Sequence, residues 1–342
     1  MAGSAPRRMA RRCLWPRGNE RMRIVNTESS GYSRNAAERL ATLGEVLFLD
    51  VHTRQELLDA AAEAEALIVR LRHRIDAEVL QAAPHLRVVV TATTGLNHID
   101  MDAMRNAGVE VLSLRGEQEF LANVTATAEL TWSLVLALSR RLPESFGHVK
   151  HGGWNRDLLK GNELKSKVLG IVGFGRLGRI VAEYGRAFRM QVLATDPHRN
   201  DMPDHVERVP LSELLRRADV VSLHVSLDET TAGMIGPDEF RMMKPGAWFV
   251  NTSRGELVNE AALLEALESG RLAGAGLDVL ADEGGKDGEW LATRPLFRYA
   301  QNNPSVIITP HIGGATHESM ADTEMFMAEK LIHWCAAHGD GT

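Results

Sequence analysis

One fifteen-residue stretch, VLGIVGFGRLGRIVA at 168–182, limits the folds open to this chain more than any other segment. It carries Gly173, Gly175 and Gly178 in G-x-G-x-x-G spacing, after a strand-like apolar run and before a helical pattern. A dinucleotide-binding turn requires this context as well as the spacing. The first glycine permits a tight turn, the second lets the backbone approach a pyrophosphate, and the third allows close helix–strand packing. The stretch therefore predicts a Rossmann-type dinucleotide-binding unit.

The residues around this turn indicate which dinucleotide is bound. Arg176 and Leu177 open the predicted helix, where free N–H groups and partial positive charge attract a phosphate. Asp196 ends the following strand, and a carboxylate there accepts hydrogen bonds from the adenosine ribose and repels a 2′-phosphate. We therefore predict NAD as the cofactor, while the neighbouring His198 and Arg199 leave NADP open. A glycine turn in a nucleotide-free α/β domain is the other alternative.

The rest of the chain alternates short apolar runs with helical patterns in two consecutive series. The first series covers residues 23–113, and the second begins near Lys167. Strands that alternate with helices of this length indicate βα units and a parallel sheet. The predicted fold class is α/β, with two doubly wound parallel-sheet domains. Between the two series, residues 124–142 predict one long helix, which Pro143 is expected to stop.

Composition and charge exclude several classes of function. The 342 residues are 44% hydrophobic and 25% charged, which is typical of a soluble globular protein. The formal net charge of −6 gives no global basic field that favours nucleic acid or an anionic membrane. The longest apolar run, about 130–138, is too short to span a bilayer. Cys13 and Cys335 fit neither a disulfide framework nor a zinc spacing, so we expect a reducing cytoplasmic location.

The first 21 residues differ from the rest of the chain. They contain six Arg and one Glu, and they lack the apolar core of a secretory signal. We expect residues 1–21 to be a disordered extension or the product of an upstream mis-start, with Met22 as an alternative first residue. A transit peptide stays open.

Five segments together resemble one family in their order and spacing. They are GIVGFGRLGR, VSLHVSLDETTAGMI, MKPGAWFVNTSRGELVNEAAL, GAGLDV and TPHIGGAT. The chain resembles the D-isomer-specific 2-hydroxyacid dehydrogenases, which include the D-3-phosphoglycerate, glycerate and D-lactate dehydrogenases, over about residues 23–335. The resemblance implies a flavodoxin-like substrate domain (22–122 and 312–342) and a Rossmann NAD-binding domain (123–311). It also implies a homodimer, with Trp132 and Trp154 as candidate interface or core residues.

The family uses an Arg, a Glu and a His, which the resemblance places at Arg254, Glu283 and His311. Arg254 follows the Asn-Thr-Ser run, and His311 follows Thr-Pro. Glu283 lies five residues after the Asp of LDV. The family commonly has Glu-Pro here, whereas this chain has Glu283-Gly284 with Asp282 adjacent. Asp282 is therefore the alternative acid.

The three residue types suit the reduction of a 2-oxoacid, which needs hydride at the carbonyl carbon and a proton at its oxygen. Histidine can act as acid or base near neutral pH. A neighbouring carboxylate favours the imidazolium and fixes the ring, so we expect Glu283 to hydrogen-bond His311. The Arg254 fork can hold the substrate carboxylate and polarise the carbonyl. The rival histidine, His317, is expected to be a solvated or capping residue.

The resemblance also implies contacts outside these motifs. Further cofactor contacts are expected at His224, Thr252, Asp278 and Gly314. Backbone N–H groups of a glycine loop can grip a substrate carboxylate, and this loop contributes Gly95, Leu96 and Asn97. Arg70, at the end of ALIVR, is expected to face the substrate. A surface ion pair for Arg70 and an ordinary turn for the loop are the alternatives.

The leading hypothesis is an NAD-dependent oxidoreductase that interconverts a D-2-hydroxyacid and its 2-oxoacid. An NAD(H)-sensing binding protein or corepressor without turnover is the alternative, because such proteins retain the same three residues. No metal site is predicted. The acidic stretch 276–290 fails as a calcium loop because Gly284 and Lys286 occupy the third and fifth positions from Asp282.

Overall fold

A computed structural model describes residues 22–283 and 289–339. The predicted extension at 1–21 lies outside the described residues. The chain divides into two compact units. The first unit runs to Gly116 and resumes at Met320, and the second unit is Glu117–Ser319. The predicted domain boundaries, after residues 122 and 311, lie a few residues from these divisions and stay a prediction.

The first unit contains a five-stranded parallel sheet in the order β2-β1-β3-β4-β5. Its strands are β1 (Met22–Asn26), β2 (Gly44–Phe48), β3 (Ala66–Val69), β4 (Val88–Thr91) and β5 (Glu110–Leu112). The helices between them are α1 (Arg34–Leu40), α2 (Arg54–Ala61), α3 (Ala77–Ala82) and α4 (Met101–Ala107). Strands β3 and β4 are buried at every position, as apolar runs covered on both faces should be. The strand order is the flavodoxin-like one.

The second unit contains a seven-stranded parallel sheet in the order β12-β11-β10-β9-β6-β7-β8. Its strands are β6 (Val168–Val172), β7 (Gln191–Thr195), β8 (Val206–Arg208), β9 (Val220–Leu223), β10 (Ala247–Asn251), β11 (Leu272–Leu277) and β12 (Val306–Ile308). The strand order reverses at β6, between β9 and β7. Open α/β sheets bind ligands at such a reversal, beyond the carboxyl ends of the strands. The glycine turn directly follows β6, so it lies at this point of the sheet.

The helices of the second unit cover both faces of this sheet. They are α5 (Gln118–Leu121), α6 (Ala126–Ser139), α7 (Leu142–Lys150), α8 (Arg176–Ala187), α9 (Leu211–Arg217), α10 (Pro237–Met242), α11 (Glu260–Glu268), α12 (Glu289–Ala292) and α13 (Pro295–Asn302). Helix α14 (His317–Gly339) begins in this unit and continues into the first. Trp132 of α6 is core: it stacks on Phe188 and donates from Nε1 to Val181 O (3.2 Å). The prediction of two doubly wound parallel-sheet domains is confirmed.

The helix predicted over 124–142 is confirmed over Ala126–Ser139, whereas its predicted end at Pro143 is wrong. Helix α6 ends at Ser139, Arg141 has a positive φ of 52°, and a second helix, α7, starts at Leu142. Pro143 lies in the first turn of α7, where a missing N–H costs no helical hydrogen bond. The proline was interpreted as a stop, whereas it starts the next helix.

One helical stretch among the described residues, Gln118–Ser139, is long and apolar enough to cross a membrane by length and composition. The run considered from the sequence, 130–138, was shorter. The buried side chains of α6, Trp132, Leu134, Val135 and Leu138 among them, belong to the core of the second unit. A core helix passes the same test of composition, so the absence of a membrane partner stays a prediction.

Candidate active site

The three predicted catalytic residues follow three neighbouring strands of the second sheet. Arg254 comes after β10, Glu283 after β11 and His311 after β12. Because these strands are parallel and adjacent, their carboxyl ends share one edge of the sheet. Sequence positions spread over nearly sixty residues are thereby brought to one edge.

Glu283 and His311 are in direct contact. The Oε2 atom of Glu283 lies 2.5 Å from Nδ1 of His311, and the two side chains are 31% and 29% exposed. The other carboxylate oxygen of Glu283 accepts a hydrogen bond from Leu280 N (2.8 Å). The side chain of Asp282 is 89% exposed and faces Arg294 instead. Of the two candidate acids, Glu283 is therefore the one that holds the histidine, and Nε2 is the ring nitrogen turned away from it.

The loop that carries His311 is fixed by a buried carboxylate. Asp278 Oδ1 accepts from Thr309 Oγ1 (2.6 Å) and Ile312 N (2.9 Å), and Oδ2 accepts from Gly313 N (2.8 Å). His311 N donates to the backbone oxygen of Asp278 (2.9 Å), and His311 has a φ of +53°. Positive φ is uncommon outside glycine and costs energy that the surroundings must offset. The structure thus gives Asp278 a role in the protein interior, and its predicted contact with the cofactor stays a prediction.

Arg254 is half-buried, and hydrogen bonds to residues 251 and 253 hold it in place. Its Nη1 donates to Ser253 O (2.6 Å), and its backbone oxygen accepts from Nδ2 of Asn251 (2.8 Å). Burial lowers the pKa of Arg254, and the carboxylates of Glu283 and Glu256 act in the opposite direction. An arginine remains charged through such a shift. The guanidinium is therefore a fixed positive charge close to Glu283.

The glycine turn has the geometry that its spacing predicts. Gly173 has a φ of +92°, and an added Cβ would lie 2.5 Å from His224 O. A Cβ on Gly178 would lie 2.3 Å from Gly173 O, so helix and turn are in backbone contact. No atom lies within 4 Å of the Cβ position of Gly175, which precedes α8 and gives it no side-chain cap. The open space at Gly175, beside the N-terminus of α8, fits a pyrophosphate.

Two predicted cofactor residues also brace this turn from within. Asp196 Oδ2 accepts from Phe174 N (2.8 Å), and Oδ1 accepts from His198 N (2.8 Å). Each carboxylate oxygen has a second acceptor site, so a ribose contact is still compatible with these bonds. The Arg176 side chain donates to Leu121 O (3.1 Å) and Val124 O (2.6 Å), and burial lowers its pKa. The Arg176 side chain is thus held by backbone carbonyl groups of the segment before α6.

The remaining predicted cofactor residues follow β9, β10 and β12. His224 Nε2 lies 2.9 Å from Ser222 Oγ, while its Nδ1 is buried with no hydrogen-bond partner in the described protein. Such an atom carries an unmet desolvation cost, which a ligand donor or acceptor can offset. Thr252 is buried and bonds Thr131 Oγ1 (2.8 Å), and Gly314 is exposed with open space at its Cβ position. The orphaned nitrogen and the open glycines fit a bound dinucleotide.

The predicted substrate residues lie in the first unit. The Arg70 guanidinium is paired with Glu324, whose side chain is 3% exposed, and it donates from Nη1 to Ser30 O (3.1 Å). This pair is partly buried, unlike the surface pair considered as the alternative. Gly95 O accepts from Thr93 Oγ1 (2.8 Å), Leu96 O accepts from Ile99 N (2.9 Å), and Asn97 is exposed. Substrate contacts by Arg70 and by residues 95–97 stay predictions.

The last predicted residue near the site is the rival histidine, His317. His317 is the exposed first residue of α14, as expected of a solvated residue.

Glu260 and Arg294 bind the backbone of Ala281, two residues before Glu283. No sequence motif marked them, because they are 34 positions apart and follow different strands. No group of three or more His, Cys, Asp or Glu residues in the described part of the chain is arranged to hold a metal ion.

Comparison with known proteins decides the family. The sequence model of the D-isomer specific 2-hydroxyacid dehydrogenase NAD-binding domain matches residues 132–313. The chain is 34% identical over 279 residues to the hydroxypyruvate reductase of Thermotoga maritima, covering 82% of this chain and 87% of the relative. The chain belongs to the D-isomer-specific 2-hydroxyacid dehydrogenase family. Both the predicted family and NAD as its cofactor are thereby confirmed.

Two further proteins are similar to this chain. The chain is 38% identical over 302 residues to the D-3-phosphoglycerate dehydrogenase of Mycobacterium tuberculosis, covering 86% of this chain. It spans about half of that relative's length, 54%. The crystal structure of a Thermus thermophilus protein superposes with a TM-score of 0.79 at 35% identity, covering 91% and 96% of the two chains.

The partly buried His224, whose Nδ1 is buried without a hydrogen-bond partner in the described protein, predicts a measurable dependence of stability on pH. Burial lowers its pKa from 6.5 to about 3. Between these values the unfolded chain binds a proton that the folded chain does not, so stability is lost as pH falls below about 6.5. We expect His224→Asn to reduce the slope of unfolding free energy against pH by roughly 1 kcal/mol per pH unit near pH 5. Denaturant unfolding at several pH values measures this slope.

The matched control is His85→Asn, which removes an exposed histidine of the first unit. Its slope should equal that of the unsubstituted protein. Equal slopes for His224→Asn and the unsubstituted protein would contradict a neutral His224 in the folded protein.

Proposed function

We propose that this chain is an NAD-dependent oxidoreductase that interconverts a D-2-hydroxyacid and its 2-oxoacid. The observation that carries the proposal is the 2.5 Å contact of Glu283 with His311, at the sheet edge that also carries Arg254. NAD(H), when bound, supplies or accepts the hydride at the substrate carbon. Residues of the glycine turn and Asp196 would hold it.

His311 is proposed as the acid and base of the reaction. Because Nδ1 faces Glu283, Nε2 is the atom that gives a proton to the carbonyl oxygen in reduction and takes it from the hydroxyl in oxidation. The contact with the Glu283 carboxylate holds the orientation of the ring. The carboxylate is itself held by Leu280 N, so the histidine is oriented before substrate binds.

Arg254 is proposed to bind the substrate carboxylate and to polarise the carbonyl. A guanidinium has five N–H donors in a planar fork, and one contact, from Nη1 to Ser253 O, fixes the side chain. Its partial burial strengthens its attraction to an anionic substrate. Arg70, oriented by Glu324, and the backbone of residues 95–97 are proposed as further substrate contacts of the first unit.

The protein is proposed to be cytoplasmic and to form a homodimer. Apolar side chains that are unusually exposed cluster in sequence on and after α7, at Phe146 (62%), Val149 (52%), Trp154 (91%) and Leu158 (61%). Such groups mark interaction surfaces when they form a patch. The buried, free Cys335 is compatible with a reducing compartment.

A double substitution tests the homodimer. We expect Phe146→Ser with Trp154→Ser to convert a dimer to a monomer, because it removes apolar area that association would bury. Sedimentation velocity measures the mass. Phe48→Ser, at an exposed phenylalanine of the first unit, is the control and should stay dimeric. A monomeric unsubstituted protein would contradict the dimer, and an unchanged mass of the double variant would contradict this surface.

Turnover tests the proposed reaction. We expect oxidation of NADH with at least one of glyoxylate, hydroxypyruvate, phenylpyruvate and 3-phosphohydroxypyruvate. His311→Gln should lower kcat about 10²- to 10⁴-fold, the range for loss of a general acid. The control His317→Gln removes the exposed histidine six residues later and should leave kcat unchanged. Equal kcat for the two variants would contradict the role of His311. Tight NADH binding without turnover on any of these acids would support an NAD(H)-sensing protein instead.

A further inference from the structure

We propose that Glu260 and Arg294 act together as positioning residues for Glu283, and that their ion pair maintains the contact between Glu283 and His311. The structural half of this inference rests on contacts within the second unit. Its consequence for turnover rests on the proposed function.

The two side chains bind both backbone polar groups of one residue. Glu260 Oε1 accepts from Ala281 N (2.7 Å), and Arg294 Nη2 donates to Ala281 O (2.6 Å). The two side chains also join each other, with Arg294 Nη1 lying 3.3 Å from Glu260 Oε2. Because hydrogen bonds to charged groups are about twice as strong as neutral ones, this arrangement holds Ala281 firmly at both its N–H and its carbonyl.

The ion pair is shielded enough to act as a fixed element. The side chains of Arg294 and Glu260 are 21% and 18% exposed, and the guanidinium lies over the ring of Trp290 at 5.2 Å. Asp282 offers a second carboxylate at 3.8 Å, but its side chain is 89% exposed. A solvent-exposed pair of that kind contributes little. Glu260 is therefore the partner that fixes Arg294.

The segment that carries Glu283 needs such support. In the sequence Glu283 is followed by Gly284, where the family commonly has a proline that would restrict the backbone. Asp282 has a φ of +49°, a conformation that the surroundings must hold. On the other side of the segment, a Cβ on Gly255 would lie 1.9 Å from Leu280 C, so the backbones of the two loops touch.

A displacement of Ala281 would therefore also displace the carboxylate of Glu283. Leu280 N, the neighbouring amide, donates to Glu283 Oε1, while Glu283 Oε2 contacts His311. Loss of the ion pair would release the 280–283 segment from one side and lengthen the contact with Nδ1. Among the described residues of the second unit, charged groups near this segment include Arg254, Glu256, Glu260, Asp282 and Arg294, and the carboxylate in contact with the His311 ring is that of Glu283.

The test compares Glu260→Gln and Arg294→Met with a matched ion pair of the same unit. Asp219 pairs with Lys244 (2.7 Å) and accepts from Val168 N (2.8 Å), so Asp219→Asn also removes an ion pair and weakens a hold on the backbone. Val168 starts β6, at the opposite end of the strands from His311. Arg294→Lys restores the positive charge and serves as the rescue variant.

The first readout needs no substrate. Nitrogen and proton NMR of ¹⁵N-histidine-labelled protein reports the Nδ1–H resonance of His311, assigned by its absence in His311→Gln. We expect Glu260→Gln and Arg294→Met to shift or abolish this resonance, Arg294→Lys to restore it in part, and Asp219→Asn to leave it unchanged. A resonance that is the same in all four variants would overturn the proposal.

The second readout is the rate of 2-oxoacid reduction against pH. We expect kcat to fall about 10- to 100-fold in Glu260→Gln and Arg294→Met, as misplacement of a catalytic group does, with the KM for NADH little changed. The pH at which kcat is half-maximal should move lower in these variants and not in Asp219→Asn. A loss of kcat with an unmoved pH profile would overturn the proposal. NMR shifts as expected in a protein without turnover would support the positioning role and contradict the proposed function.

Discussion

The hydrogen bonds of the buried Asp278 carboxylate are the interaction on which the site depends most. Three donors, Thr309 Oγ1, Ile312 N and Gly313 N, converge on this one side chain at the end of β11. They hold the loop after β12 in a shape that gives His311 its positive φ. The orientation of the proposed acid and base is therefore fixed from inside the protein, before any ligand binds.

Parallel topology supplies the rest of the arrangement. Strands β10, β11 and β12 deliver Arg254, Glu283 and His311 to one edge of the sheet, while β6 delivers the glycine turn at the point where the strand order reverses. Close backbone contacts then set the spacing, at Gly255 against Leu280 and at Gly178 against Gly173. Chemistry and cofactor binding thus depend on glycines that bring backbones together as much as on the charged side chains.

Local pattern was enough to predict the two sheets and the glycine turn, because strand and helix periodicity are properties of short segments. The resemblance pointed to Glu283 and His311, and the structure brings them into contact. Three features could not be predicted from the sequence. Pro143 starts a helix instead of stopping one, which depends on Arg141 adopting a left-handed conformation. The side chain of Arg176 binds Leu121 and Val124, more than fifty residues away. The Glu260–Arg294 pair likewise depends on packing between distant segments.

The most direct measurement of the proposed chemistry is the pH dependence of 2-oxoacid reduction in Glu283→Gln, with Asp282→Asn as control. Reduction needs a proton on His311, and a negative charge beside an imidazole in general favours its protonated form. The pH at which kcat falls to half its maximum should therefore move lower in Glu283→Gln and stay unchanged in Asp282→Asn, whose side chain is exposed. An unmoved profile in Glu283→Gln, or an equal movement in both variants, would contradict the assignment of Glu283 as the partner of the catalytic histidine.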